Sequence, residues 1–224
     1  MTGELIGRGR DCDVFAAGPG KVLRRHREGR STEAEALTMQ HCAAHGYPVP
    51  EVVDAAGPDI VMQRLDGPTM LGDMSARPWT MRTRARLLAD LVARLGRVPL
   101  PKHQLPVIGE HGGVLVHLDL HPDNVVLTAD GPVVIDWSNA ALGAAGLDAA
   151  NTWLTLAAGR PEGSVTSRTV VAAGRRLFVR WFVAAIDRDP TLASLPAALE
   201  FRLHDPNQSD AERATMRSLV GRVT

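Results

Sequence analysis

The apolar residues change their period near Leu65-Asp66-Gly67-Pro68, and nothing else in the sequence constrains the fold as tightly. Before that point the apolar stretches are short and separated by turn signals. Glu4 to Phe15 and Lys21 to Arg25 flank Ala-Ala-Gly-Pro-Gly, and Val52-Val53 and Asp59 to Met62 flank Gly57-Pro58. These predict strands and hairpins. One helix is expected among them, from Thr32 to Ala44, with Thr32 and Glu35 in capping-box spacing. Gly46, Pro48 and Pro50 end it. After Pro68 the period becomes helical. Thr80 to Leu95 carries Met81, Ala85, Leu88, Leu91 and Val92 on one stripe with arginines opposite. Further helices are expected over 147–158, 168–187 and 209–222, the last opening on a Ser209/Glu212 capping box. Between them Val114 to Val116, Asn124 to Leu127 and Val133 to Ile135 are short strands, the last two joined by Ala129-Asp130-Gly131-Pro132.

Composition removes several function classes. Twenty-five basic and 25 acidic residues cancel, so no net charge points to a nucleic acid or a membrane surface. No apolar run approaches the roughly 18 residues of a membrane span. Met1 to Glu4 lack the basic-then-apolar opening of a signal peptide, and Cys12 and Cys42 are too few for a disulfide framework. A cytoplasmic location is therefore expected.

The densest polar cluster is His117-Leu118-Asp119-Leu120-His121-Pro122-Asp123-Asn124, set between two apolar strands, with Asp136 after a third. An aspartate in such a loop can take a proton from a hydroxyl. An asparagine five residues later and an aspartate at the hairpin's end are oxygen ligands of the kind Mg²⁺ prefers. His-x-Asp-x-x-x-x-Asn followed by Asp is the order of catalytic groups in kinases. At the other end, Ile6-Gly7-Arg8-Gly9-Arg10-Asp11-Cys12-Asp13-Val14 follows Gly-x-Gly-x-x-Gly-x-Val, with Cys12 at the third glycine. Glycines there let backbone N–H groups approach phosphates.

The stretch VLVHLDLHPDNVVLTADGPVVIDW, residues 114–137, resembles the catalytic and metal-binding segment of the aminoglycoside and choline phosphotransferases, small-molecule kinases with the protein-kinase fold. His121-Pro122 and the Asp-Trp at 136–137 favour that family over protein kinases. The resemblance implies an α+β, bilobal fold: residues 1–66 as a small antiparallel-sheet lobe with one helix, and 67–224 as a larger, mainly helical lobe. It implies transfer of the γ-phosphoryl group of ATP or GTP to a hydroxyl of a small antibiotic or metabolite. Asp119 would be the base, Asn124 and Asp136 the Mg²⁺ ligands, and His117 and Asp148 supports of the catalytic loop. The nucleotide would meet Gly7, Gly9, Val14 and Val22, with Met62, Gln63 and Leu65 along the hinge strand.

The strand Lys21-Val22-Leu23-Arg24-Arg25 departs from the family pattern. The alternation from Val22 puts Arg24 where the phosphate-clamping lysine is expected, and Lys21 stands too early. Glu35 either partners that cation or caps its helix with Thr32. Two other readings are open: a nucleotide-binding pseudokinase, motivated by Arg24 and Cys12, and a metallohydrolase built on His111, His117, Asp119 and His121. Residues 141–224 hold eight acidic residues and ten arginines. A small acceptor that is not strongly cationic is therefore expected; an acidic pocket would most simply come from Glu200 and Asp205 near His204.

Overall fold

A computed structural model describes residues 3–9, 11–109, 113–159 and 165–223. The first part is a five-stranded antiparallel sheet of β1 (Leu5–Arg8), β2 (Cys12–Ala16), β3 (Lys21–His26), β4 (Val52–Ala56) and β5 (Asp59–Gln63), in the order β1-β2-β3-β5-β4. Gly18 and Gly20, both at positive φ, close the β2–β3 turn. Helix α1 (Glu33–Ala44) lies between β3 and β4 in sequence and packs on β4. In β3 the residues Val22, Arg24 and His26 are buried while the alternate positions are not, so the strand turns one side inward and carries a cation there.

The later part contains α2 (Met70–Ala76), α3 (Met81–Leu95), α4 (Leu147–Ala158), α5 (Val165–Val183), α6 (Arg188–Leu203) and α7 (Asp210–Val223). Two small antiparallel pairs lie between α3 and α4 in sequence: β6 (Val114–Val116) with β9 (Ala141–Gly143), and β7 (Val125–Thr128) with β8 (Gly131–Val134). The apolar stripe of α3, Ala85, Leu88, Leu91, Val92 and Leu95, is buried against Phe178 and Phe182 of α5, Met70 of α2 and Trp137. Each such leucine contributes about 1.5–3 kcal/mol by leaving water. A second cluster joins α4, α6 and α7 through Leu154, Leu195, Ala198, Met216 and Val220.

Two expectations need correction. Thr32 does not cap α1: its hydroxyl donates to the carbonyls of Gly57 (3.1 Å) and Asp59 (2.9 Å), tying the helix entrance to the β4–β5 hairpin. The expected helix set also lacks α6, which contains Pro190 and Pro196. Pro190 lies in the first turn, where its missing N–H forfeits no bond, and Pro196 is carried inside the helix. The Ser209/Glu212 box does form: Ser209 N–H donates to Glu212 Oε2 (2.9 Å) and Glu212 N–H to Ser209 Oγ (3.3 Å).

Candidate active site

A cavity of about 380 Å³ separates the sheet from the β7–β8 hairpin. Val14 and Val22 wall it from the sheet, Val126 and Ile135 from the hairpin, and Met62, Gln63 and Leu65 at the end of β5. Gly9, Arg24, Glu35, Asn124, Asp136 and Ser138 supply its polar walls. Apolar faces about a slot with charged groups at one side suit a flat base and its phosphates. Gly9 lines the cavity and its N–H donates to Cys12 O (2.8 Å), whereas Gly7 pairs with Val14 in the β1–β2 ladder and is not in the wall. Cys12, Asp11 and His26 also line it. His26 follows Arg24 by two residues on the same face of β3, a position the strand alternation could have flagged.

The cation of the site is Arg24. Its guanidinium pairs with Glu35 in the interior and reaches Asp136 Oδ1 at 3.2 Å, while Lys21 is exposed at the strand's start. Burial alone would lower the Arg24 pKa; Glu35 and Asp136 outweigh it, and the pKa is raised. Glu35 is therefore a partner and not a cap. Its Oε1 also accepts from the Trp137 N–H (3.2 Å), so one carboxylate joins α1, β3 and the segment after β8.

The second group is built on the turn after β6. Leu118 and Asp136 are, among the described residues, the non-glycine positions in the left-handed region, with φ of 62° and 64°. Such conformations cost about 1–3 kcal/mol each and persist only where surroundings hold them. At Leu118 the holding groups come from α4. Asp148 accepts from the N–H groups of His117 (Oδ2, 2.7 Å) and Leu118 (Oδ1, 2.7 Å), Asn151 donates to Leu118 O, and Thr152 donates to Leu120 O (2.8 Å). Burial pushes the Asp148 carboxyl up, against the pull of the His117 and Leu118 N–H donors. Asp148, Asn151 and Thr152 lie three and four residues apart and, with Thr155 one turn on, form one polar stripe on an otherwise apolar helix. That stripe is the legible signal by which Asn151 and Thr152 could have been found.

His117 is fully buried beneath Trp137, with ring centroids 4.7 Å apart. Its Nδ1 accepts from the Asp119 N–H (3.2 Å), which leaves the ring proton on Nε2, facing Ile135 O at 3.1 Å. Both nitrogens are thus spent on the backbone. His121 lies 3.5 Å from Asp119 Oδ2, and His111 lies outside the described residues. Among the described residues no three His, Cys, Asp or Glu side chains gather as a metal cluster.

Asp119 does not line the cavity itself but is tied to its wall by Asn124, whose Nδ2 donates to Asp119 O (2.8 Å) and Oδ2 (3.2 Å). The other carboxylate oxygen, Oδ1, accepts from Arg202 at 2.8 Å. Burial pushes the Asp119 carboxyl up, but His121 and Arg202 outweigh it and hold it well below the usual carboxylate range. The Ile135 N–H donates to Asn124 O (3.0 Å), which sets Asn124 beside the start of the Asp136 segment. Asn124 spends its Nδ2 on Asp119, so its Oδ1 is the atom available to a cation. Asp136 Oδ1 accepts from Arg24 and Ser138, leaving Oδ2. One amide oxygen and one carboxylate oxygen on the same wall form a hard donor set, which fits Mg²⁺ completed by water and phosphate oxygens.

The acidic pocket suggested by Glu200 and Asp205 is not assembled. Asp205 is 3.6 Å from Arg202, Glu200 is exposed, and the His204 Nδ1 bonds back to Glu200 O. Arg160 and Glu162 of the charge count, and the side chain of Arg168, lie outside the described residues.

Residues 100–182 match the phosphotransferase enzyme family, APH. Among curated proteins none matches the sequence significantly. Solved structures similar to this chain include an apo thermostable mutant of aminoglycoside phosphotransferase APH(4)-Ia, at 16% identity and a TM-score of 0.62, covering 98% of this chain and 92% of that one. Plasmodium vivax ethanolamine kinase aligns at 11% identity and 0.59, covering 97% and 81%. The streptomycin–ATP ternary complex of APH(2″)-IIa aligns at 14% and 0.59, covering 98% and 92%. Identities this low speak for the fold alone. This is therefore a chain of protein-kinase-like fold whose residues 100–182 carry the likeness to the phosphotransferase enzyme family.

Proposed function

We propose that the protein transfers the γ-phosphoryl group of ATP or GTP to a hydroxyl of a small molecule, with Mg²⁺ as cofactor. The observation that carries this reading is the meeting of two groups in one cleft. The Arg24–Glu35 pair lies under the sheet, Asn124 and Asp136 line the facing wall, and Asp119 is hydrogen-bonded to Asn124 beside that wall. The base of the nucleotide fits between Val14 and Val22 on one side and Val126 and Ile135 on the other, with its edge toward Gln63 and Leu65. Its phosphates then lie along Gly9 and Arg24.

Asn124 Oδ1 and Asp136 Oδ2 would hold Mg²⁺, which when bound neutralises charge on the phosphate oxygens. Asp119 Oδ2 orients the acceptor hydroxyl. The hydroxyl oxygen bonds to the γ-phosphorus as the bond from that phosphorus to the β–γ bridging oxygen breaks, and the diphosphate nucleotide leaves. The hydroxyl proton passes to Asp119. A carboxylate held this far below its usual range is a weak base, so orientation comes first and the proton moves late, as a loose transition state requires. Arg24 offers the phosphates a planar fork in place of an ammonium.

Asp119→Asn should lower turnover of Mg-nucleotide at least about a hundredfold while nucleotide still binds. Wild-type kcat in that variant would refute the assignment. Screening ATP and GTP against hydroxylated metabolites and antibiotics identifies the acceptor.

A further inference from the structure

We propose that Arg202 is a positioning residue for phosphoryl transfer. It fixes which oxygen of Asp119 faces the acceptor and holds the left-handed turn at Leu118 from which Asp119 projects. The proposal rests on the phosphoryl-transfer reading above and deepens it.

Arg202 lies in the last turn of α6 and its side chain is 5% exposed. A buried guanidinium must spend its donors, and here each edge of the planar fork has a different task. Nε donates to Asn151 Oδ1 (2.8 Å), the same amide whose Nδ2 donates to Leu118 O. One terminal nitrogen, Nη2, donates to both Leu118 O (3.0 Å) and Asp119 Oδ1 (2.8 Å). The other, Nη1, faces Asp205 Oδ2 at 3.6 Å.

The turn at Leu118 is thereby gripped on two sides. Asp148 takes its N–H, and Asn151 with Arg202 takes its carbonyl. A flip of the Leu118–Asp119 peptide would break both carbonyl bonds and swing Asp119 away from Asn124. The Asp119 side chain has two torsions of its own that the backbone does not fix. Arg202 on Oδ1, with Asn124 and His121 (3.5 Å) on Oδ2, removes that freedom and turns Oδ2 toward Asn124, whose side chain lines the cavity. An arginine needed only for packing would not have to share one nitrogen between the loop carbonyl and the carboxylate. Lysine has a single charged nitrogen and cannot serve Asn151, Leu118 and Asp119 in one plane.

The test uses the full chain with MgATP and water as acceptor, following phosphate release and counting functional sites by bound ADP. Wild type is compared with Asp119→Asn, Arg202→Met, Arg202→Lys and the Asp119→Asn/Arg202→Met double variant. Both Arg202 variants should lose about tenfold to a hundredfold in kcat per nucleotide-binding site, the scale of a misplaced catalytic group. The KM for ATP should stay within about twofold, and the double variant should lose no more than Asp119→Asn alone. If Arg202→Met does not fold, Arg202→Lys carries the comparison. Wild-type kcat in Arg202→Lys, a loss that vanishes once rates are divided by binding sites, or a fully additive double variant overturns the proposal. Equal ATP turnover by wild type and Asp119→Asn overturns the phosphoryl-transfer reading and this proposal with it. A slow Asp119→Asn beside unimpaired Arg202 variants overturns only this one.

Discussion

Arg202 and Asp119 are 83 residues apart in sequence, yet the Arg202 Nη2 donates to Asp119 Oδ1 at 2.8 Å. The carboxylate that would receive the acceptor hydroxyl therefore already has a buried cation beside it. Asp205, two residues beyond the end of α6, faces the same guanidinium.

This arrangement bears on the acceptor. Each ammonium of a polycationic ligand must exchange water for a carboxylate. Beside Asp119 the carboxylates are already engaged by Arg202, and a cation there would meet a like charge. Kanamycin-type compounds should be poor acceptors, with kcat/KM below about 10⁵ M⁻¹s⁻¹, and neutral hydroxylated compounds should be preferred. Efficient kanamycin phosphorylation in a coupled assay would refute this.

Asp136→Ala should weaken magnesium-dependent nucleotide binding more than Asn124→Ala, because it removes a full charge and also frees Arg24 from one partner. Calorimetric titration with ADP, with and without Mg²⁺, reads the difference. Tight stoichiometric zinc in the purified protein with no magnesium effect would point instead to metal-dependent hydrolysis.

Arg24 and Glu35 should behave as a unit. Arg24→Ala leaves the Glu35 carboxylate buried without its cation, a loss of about 3–5 kcal/mol in comparable pairs, whereas Glu35→Ala leaves Arg24 with Asp136 as its one carboxylate. Both should raise the KM for nucleotide and lower the unfolding midpoint, and the double variant should lose less than the sum. Lys21→Ala should be nearly silent. A phenotype confined to Lys21→Ala would move the phosphate contact to the wrong end of β3.

Asp148→Asn tests the support beneath the catalytic turn. An amide can accept one of the two N–H bonds but faces the other with a donor. The unmet N–H costs about 1–3 kcal/mol, and the Leu118 turn loosens. Both the unfolding midpoint and kcat should fall, whereas Asp148→Asn with wild-type kcat would show that the turn is self-supporting.

Asp73 gives a pH dependence. Its buried carboxylate meets Arg84 (2.8 Å) and Arg77; burial would raise its pKa, but the two arginines outweigh it and the pKa is lowered. A depressed folded-state pKa adds stability above the unfolded value, about 3.9, and that stability is lost as pH falls toward and through the folded-state value. Unfolding midpoints from pH 7 to pH 2 should drop less steeply in Asp73→Asn than in wild type. Identical acid limbs would rule out this contribution.

Much of the fold was legible in the chain alone. The period change, the strand alternation of β3 and the stripe of α3 are local signals, set by which face of an element leaves water. The same alternation put Arg24, and not Lys21, on the inward face. Tertiary structure decided what local signals could not. Thr32 and Glu35 have capping-box spacing, but a buried guanidinium attracts a carboxylate more strongly than a helix N–H does, so Glu35 turned inward and Thr32 found the Gly57 and Asp59 carbonyls instead. Pro190 and Pro196 argue locally against α6, yet burial of Leu195 and Ala198 against α4 and α7 carries the helix through. With α6 absent from the local reading, Arg202 was one arginine among ten in a balanced tail. Its place beside Asp119 depends on how α4 and α6 pack, a long-range contact with no local trace in the sequence, because charge alone does not say which carboxylate a cation will meet.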